Sequence, residues 1–264
     1  MNIGFIGFGK MGSAIADGIV NAKLYKNENI FVYDISSFAK DIAKQKGFNI
    51  CDTLQDVFNS CNTVLLAIKP QELSNAIKEI ETTAKCNLII SIMAGVSLKT
   101  LQKINENIAI ARIMPNTCAL IGESASSICY NALVTDKEKK TTQDVFSAVG
   151  EYVEIDESLM DEVIPIGGSF TAYAYTFMKA FVESSVKRGI SREVAEKLVI
   201  KSMIGSANMF KTFGDIDTLI KNVCSKGGTT LAGLEQFEKN NFEEIIDKCA
   251  IACAERSKEL GKLN

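Results

Sequence analysis

A chain of 264 residues, 47% of them hydrophobic, is long enough for one large domain or two modest ones with real cores. Its formal net charge of −3 offers no basic face to a nucleic acid, and the absence of histidine excludes every acid–base or triad mechanism built on imidazole. The eight cysteines form no C-x-x-C pair, so no metal site of the usual spacing is expected; they read as reduced, mostly buried thiols of a cytoplasmic protein.

Ile3-Gly4-Phe5-Ile6 reads as a short buried strand, and Gly7-Phe8-Gly9-Lys10-Met11-Gly12 fits G-x-G-x-x-G. A helical pattern with Ile15, Ile19 and Val20 follows. Strand, glycine turn and helix in that order make a dinucleotide-binding unit. Gly7 permits the tight turn, Gly9 lets backbone approach a pyrophosphate, and Gly12 lets helix pack closely on strand. The helix start offers free N–H groups and partial positive charge to phosphates. The motif stands where a cleavable apolar segment would be, so no export signal is expected.

Ile30–Tyr33 reads as the second strand, ending at Asp34. An acidic residue there hydrogen-bonds ribose hydroxyls and repels a 2′-phosphate, favouring NADH over NADPH. An aspartate there also suits the N-cap of the next helix, and Ser36, Ser37 and Lys40 remain able to hold a phosphate. Residues 40–46 look helical and stop at Gly47. Val64–Ile68 is an apolar run suited to a strand buried on both faces, ending at Lys69-Pro70, with a helix over 71–84. Leu88–Ile92 is the next strand, closing with Ala94-Gly95-Val96, and Ser97 caps a helix through Ile104. Ala109–Ile113 is a strand ending at Met114-Pro115-Asn116; Ser126–Tyr130 and Tyr152–Ile155 are strands around a helix from Asp136 to Gly150. The pattern predicts an α/β, doubly wound Rossmann sheet over residues 1–157. Ligands of such sheets sit beyond the strand carboxyl ends, so Gly7–Gly12, Asp34, Ala67–Pro70 and Ala94–Val96 should share one crevice.

From residue 158 to 264 only helices are legible, an all-α second domain. Met160–Arg188 reads as one long helix stopped by Gly189, Ser191 caps a helix running to Gly214, and Asp215–Val223 is short. Ser225-Lys226-Gly227-Gly228-Thr229-Thr230 is a loop before a further helix, and Phe242–Leu260 is the last, stopped by Gly261. Val163–Val182 carries few charges, but Pro165, the Gly167-Gly168-Ser169 break, Thr176 and Lys179 argue for a core or dimer helix over a membrane span. Helices this apolar should bury their surplus against a second subunit, or else against the α/β domain of the same chain. Gly227 and Gly228 let backbone N–H groups converge on a carboxylate or phosphate, although a plain interhelical turn has the same composition. Cys249 and Cys253 share an apolar helix face with Ile245 and Ile246, which is core packing.

These segments together resemble the pyrroline-5-carboxylate reductase family. Gly4 to Gly12 resembles its opening, Ala67-Ile68-Lys69-Pro70-Gln71 its A-V-K-P segment, and Ser91 to Val96 its S-x-x-A-G-V. Arg112-Ile113-Met114-Pro115-Asn116-Thr117 resembles R-x-M-P-N-T, and Asn222 through Leu234 the region around S-P-G-G-T-T. The resemblance implies hydride transfer from NADH or NADPH to the C=N bond of 1-pyrroline-5-carboxylate, giving L-proline, and a homodimer with interleaved helical domains, in some members a ring of dimers. The substrate's ring nitrogen is itself protonated in part, so the lack of histidine is no obstacle. By the family pattern Gly7, Phe8, Gly9, Lys10, Met11 and Gly12 hold the pyrophosphate, Asp34 the ribose, and Ala67, Ile68, Lys69, Pro70, Ala94, Gly95 and Val96 line the cofactor crevice. Asn222, Ser225, Gly227, Gly228, Thr229 and Thr230 bind substrate, with Thr230 reaching the ring nitrogen as the catalytic residue. Three positions depart from the pattern: Lys226 and Cys118 stand where prolines are usual, and Gly167–Tyr173 lacks the proline of S-G-S-x-P-A-Y. Two other readings are a regulatory paralogue that binds dinucleotide without turnover and a related imine or β-hydroxyacid reductase. Lys179 would serve the latter, although the sequence around it does not match.

Overall fold

The computed structural model describes residues 1–83 and 85–262. It has eight strands: β1 Ile3–Ile6, β2 Ile30–Tyr33, β3 Asn49–Ile50, β4 Thr63–Leu66, β5 Leu88–Ser91, β6 Ala109–Met114, β7 Ser124–Tyr130 and β8 Gly150–Glu154. They form one sheet in the order β3-β2-β1-β4-β5-β6-β7-β8. Neighbours from β3 to β6 are parallel, β6–β7 is antiparallel and β7–β8 is parallel. The order reverses between β1 and β4, the switch point of a doubly wound sheet.

Six helices accompany the strands: α1 Lys10–Asn21, α2 Ser37–Gln45, α3 Leu54–Ser60, α4 Leu73–Glu79, α5 Leu98–Leu101 and α6 Asp136–Ser147. Consecutive side chains of the central strands point to opposite faces, and both faces are covered. Phe5, Leu65, Ile90 and Ala111 meet Ile15, Ile19 and Phe146 on one side. Ile6, Val64, Leu66, Ile89 and Ile110 meet Val57, Phe58 and Leu73 on the other. This explains why the strands read as unbroken apolar runs. Full burial of each such side chain is worth roughly 1.5–3 kcal/mol relative to exposure. Burial also pushes the thiol of Cys51 up to about 11 and those of Cys61, Cys86 and Cys129 up to about 12, so they remain protonated near neutrality.

Five further helices complete the chain: α7 Phe170–Lys187, α8 Arg192–Phe213, α9 Ile216–Val223, α10 Thr229–Lys239 and α11 Phe242–Lys262. Two compact units result: residues Met1–Thr171 joined by the segment from Ala252, and residues Ala172–Ile251. Within the second, Phe177, Phe181, Phe237 and Phe242 cluster, with Phe237 and Phe242 stacked at 4.7 Å. Ser191 caps α8 by accepting from Val194 N, and Asp215 caps α9 by accepting from Thr218 N. Among the described residues, no helix is long and apolar enough to cross a membrane.

Several predicted elements change. The long helix from Met160 begins only at Phe170; residues 161–168 form turns, because Pro165 has no N–H to give and Gly167-Gly168 is a poor helix former. The helix over 71–84 is a single 3-10 turn at Pro70–Glu72 followed by α4, and residue 84 lies outside the described residues. Helix α6 stops at Ser147, and Gly150 opens β8 instead, at φ +150°. Gly261 does not stop α11, which is helical through Lys262. Both β3 and α3 were absent from the sequence reading; the capping box of Thr53 and Asp56 was the signal for α3.

Candidate active site

The loop after β1 lies at the switch point and is shaped by its glycines. Gly7 has φ +92°, and a Cβ there would stand 2.6 Å from Ala67 O. A Cβ on Gly12 would lie 2.5 Å from Gly7 O, so the first turn of α1 packs directly on the loop. At Gly9 nothing lies within 4 Å of a Cβ position, which leaves open space over the helix start. Gly9 is the N-cap of α1, no side chain caps it, and the first turn carries no acidic residue. Free N–H groups, helix polarity and open room in front of them are what a pyrophosphate requires, so these residues fit a dinucleotide.

Beside this loop lies a crevice of about 310 Å³. Ile6, Gly7 and Gly9 line it from β1, Tyr33, Asp34 and Ile35 from the end of β2, and Ala67, Ile68 and Lys69 from the end of β4. The Asp34 carboxylate accepts one backbone bond at each oxygen: Oδ2 from Phe8 N at 2.6 Å and Oδ1 from Ser36 N at 2.8 Å, which leaves a further lone pair on each. It therefore locks the glycine loop to the end of β2. It does not cap α2; Ser36 does, accepting from Ala39 N. The capping alternative for Asp34 is thereby corrected, and Asp34 still faces the crevice. Lys40 is also committed, with its ammonium 5.4 Å over the Tyr33 ring. Glu72 and Glu79 add two carboxylates to the same lining. The Tyr33 hydroxyl is pushed up by burial first, then by Glu79 and Asp34. The sequence reading missed both glutamates; their spacing of seven along one helical stretch was the available sign.

The other predicted residues of this half divide. The Phe8 ring is buried between Phe5 and Phe48 and its N–H is given to Asp34, so Phe8 shapes the loop from within. Lys10 and Lys69 are exposed, and Pro70 opens the 3-10 turn after β4. Ala94, Gly95 and Val96 form the turn after β5, one strand beyond the crevice lining, with Gly95 at φ +74°.

In the second unit, Gly227 takes the left-handed φ of +70°, and Gly228 N donates to Ser225 O at 2.9 Å. Gly228 is the N-cap of α10 and no side chain caps it. Thr229 and Thr230 are therefore not loop residues, as the sequence suggested, but the first turn of the helix. Their N–H groups follow directly on the turn that Gly227 makes, a concave set of donors suited to a carboxylate. A Cβ on Gly228 would press on Ser225 Oγ and stand 3.0 Å from Ser225 O, so a larger residue there would have to turn the Ser225 side chain. Asn222 is exposed on the last turn of α9, and Lys226 is exposed on the loop.

Residues 157–260 match the family model described as pyrroline-5-carboxylate reductase dimerisation, and residues 2–95 match NADP oxidoreductase coenzyme F420-dependent. The pyrroline-5-carboxylate reductase of a Synechocystis species is 36% identical over 99% of both chains. That of Arabidopsis thaliana is 32% identical over 98% of this chain and 95% of its own. This chain belongs to the pyrroline-5-carboxylate reductase family. The crystal structure of the Plasmodium falciparum pyrroline carboxylate reductase, with NADP bound, matches at a TM-score of 0.91 and 33% identity. It covers 99% of this chain and 98% of that one, so the likeness spans both units.

Proposed function

We infer that this chain is an NAD(P)H-dependent pyrroline-5-carboxylate reductase that forms L-proline. The observation that carries the reading is the uncapped glycine cradle at the switch point in a chain that matches the family from end to end. The dinucleotide supplies the hydride when bound. Everything else falls to the chain. Gly7, Phe8, Gly9, Lys10, Met11 and Gly12 form the pyrophosphate loop: the N–H groups of Gly7 and Phe8 are given to Tyr33 O and Asp34 Oδ2 and fix its shape, and those at the start of α1 are left for the phosphates. Asp34 fixes that loop and faces the ribose. Ala67, Ile68, Lys69 and Pro70, with Ala94, Gly95 and Val96, border the remainder of the cofactor. The N–H groups from Ser225 through Thr230 hold the substrate carboxylate beside Asn222, and the Thr230 hydroxyl orients the ring nitrogen, which carries its own proton. The chain's task is thus orientation of two reactants, worth a large share of the barrier by itself.

Carboxylates of Asp34, Glu72 and Glu79 in the crevice disfavour a 2′-phosphate, so NADH is the preferred donor. Residues 1–157 bind the cofactor and residues 158–264 bind substrate and form the homodimer, with a ring of dimers as the larger assembly of this cytoplasmic enzyme. The family model for dimerisation supports the homodimer. The test is oxidation of NADH and of NADPH with pyrroline-5-carboxylate supplied. Rapid oxidation with the NADH rate ahead is expected. Binding of either dinucleotide without oxidation would overturn the assignment in favour of a regulatory paralogue.

A further inference from the structure

Arg112 opens the R-x-M-P-N-T segment, yet nothing in the proposed chemistry uses it. It is a lone arginine in an apolar strand and only 4% exposed. Its Nη1 lies 3.4 Å from Glu157 Oε1 and its Nη2 3.2 Å from Asp161 Oδ1. A buried guanidinium persists only when its charge and donors are met, and here each partner extends the network. Asp161 Oδ1 also accepts from Ser257 Oγ at 2.7 Å, near the end of α11. Glu157 Oε1 also accepts from Leu98 N at 2.6 Å, the first residue of α5.

The end of α11 makes a second contact with the same region. At Gly95, a Cβ would stand 2.8 Å from Ser257 O and 3.1 Å from Gly261 N. A Cβ on Gly261 would collide with Gly95 O. Two backbones cross at a distance that only a pair of glycines permits. The turn over 94–97 is thus held at both ends: by Gly261 at Gly95 and by Glu157 at Leu98. All these residues belong to one compact unit.

The sheet order says what that turn borders. With Asp34 at the end of β2 and the glycine loop at the end of β1, the dinucleotide runs along the strand ends toward β4 and β5. Its reactive end therefore reaches the turn after β5. We propose that the last turn of α11, through the Gly95–Gly261 crossing and the Arg112 network, sets the 94–97 turn for hydride transfer. Gly261 and Arg112 are then positioning residues that act through the turn holding Gly95, a role that rests on the reductase reading above.

Two variants test this: a chain ending at Leu260, which removes the Gly261 side of the crossing without a clash and leaves Ser257 in place, and Gly261→Ala. Amide hydrogen exchange is followed without cofactor in peptides covering 92–101 and 5–16. Turnover and the Kd for NADH, from nicotinamide fluorescence, are measured alongside. In both variants exchange should quicken about tenfold or more in 92–101 and stay unchanged in 5–16. Turnover should fall roughly ten- to a hundredfold while the Kd for NADH moves less than about threefold. Unchanged exchange in 92–101, or faster exchange with undiminished turnover, overturns the proposal. Wild-type protein that oxidises no dinucleotide with pyrroline-5-carboxylate overturns the reductase reading and with it the hydride role, even where the exchange result shows the contact itself.

Discussion

The two compact units use the same apolar residue types to opposite ends. In the sheet-bearing unit Phe5, Leu65 and Phe146 are fully buried and both faces of the sheet are closed by its own helices. In the unit of residues 172–251, Leu198 is 60% exposed, Phe210 50% and Phe213 65%, and Ala195 is the buried residue of all α8. A strand gains two buried faces as soon as helices cover the sheet. A long helix has a full circumference to cover, and the helices of one small unit do not suffice. An apolar surface of this extent marks an interaction site, and the family model for dimerisation across residues 157–260 supports a second copy as its cover.

That contrast breaks most sharply with a charge on the uncovered face. Phe210→Asp should weaken self-association about a thousandfold or more, the cost of desolvating an unpaired carboxylate. Sedimentation would show the monomer, and turnover would fall with it. Nearer the chemistry, the two units should fail differently. Thr230→Ala, in the helical unit, should lower turnover roughly ten- to a thousandfold with dinucleotide affinity intact, as steady-state kinetics and fluorescence titration would show. The smallest effect belongs to the sheet-bearing unit. Asp34→Ser should raise the NADPH-to-NADH ratio of kcat/KM about tenfold by removing a carboxylate that repels a 2′-phosphate. Because Asp34 Oδ2 holds Phe8 N, the same change should also weaken both dinucleotides a little. A ratio that does not move would restrict Asp34 to holding the loop.

Much of this was legible because local chemistry decided it. The spacing of Gly7, Gly9 and Gly12 announced the tight turn and close helix start that the structure has, and Ser97 and Ser191 cap the helices they announced. The failures share a cause in long-range structure. Pro165 and the Gly167-Gly168-Ser169 break count against a membrane span, yet the same break also ends any helix begun at Met160, and α7 starts ten residues later, at Phe170. Gly261 was read as a stop because glycine so often ends a helix, whereas its role is set by Gly95, far away in sequence. Asp34 was recognised as a strand-end carboxylate, but its bond to Phe8 N depends on how the loop folds back. The spacing of Glu72 and Glu79 hinted at a shared face but not at which crevice it borders, and the partners of Arg112 lie 45 and 49 residues away, so both belong to the tertiary fold.

One measurement bears most directly on the central claim. The protein is incubated with pyrroline-5-carboxylate and NADH deuterated on the transferring face of the nicotinamide, and the product is examined by mass spectrometry. The account predicts L-proline carrying a single deuterium on the former imine carbon. Dinucleotide oxidation without labelled proline, or no reaction by a protein that binds NADH, would contradict it.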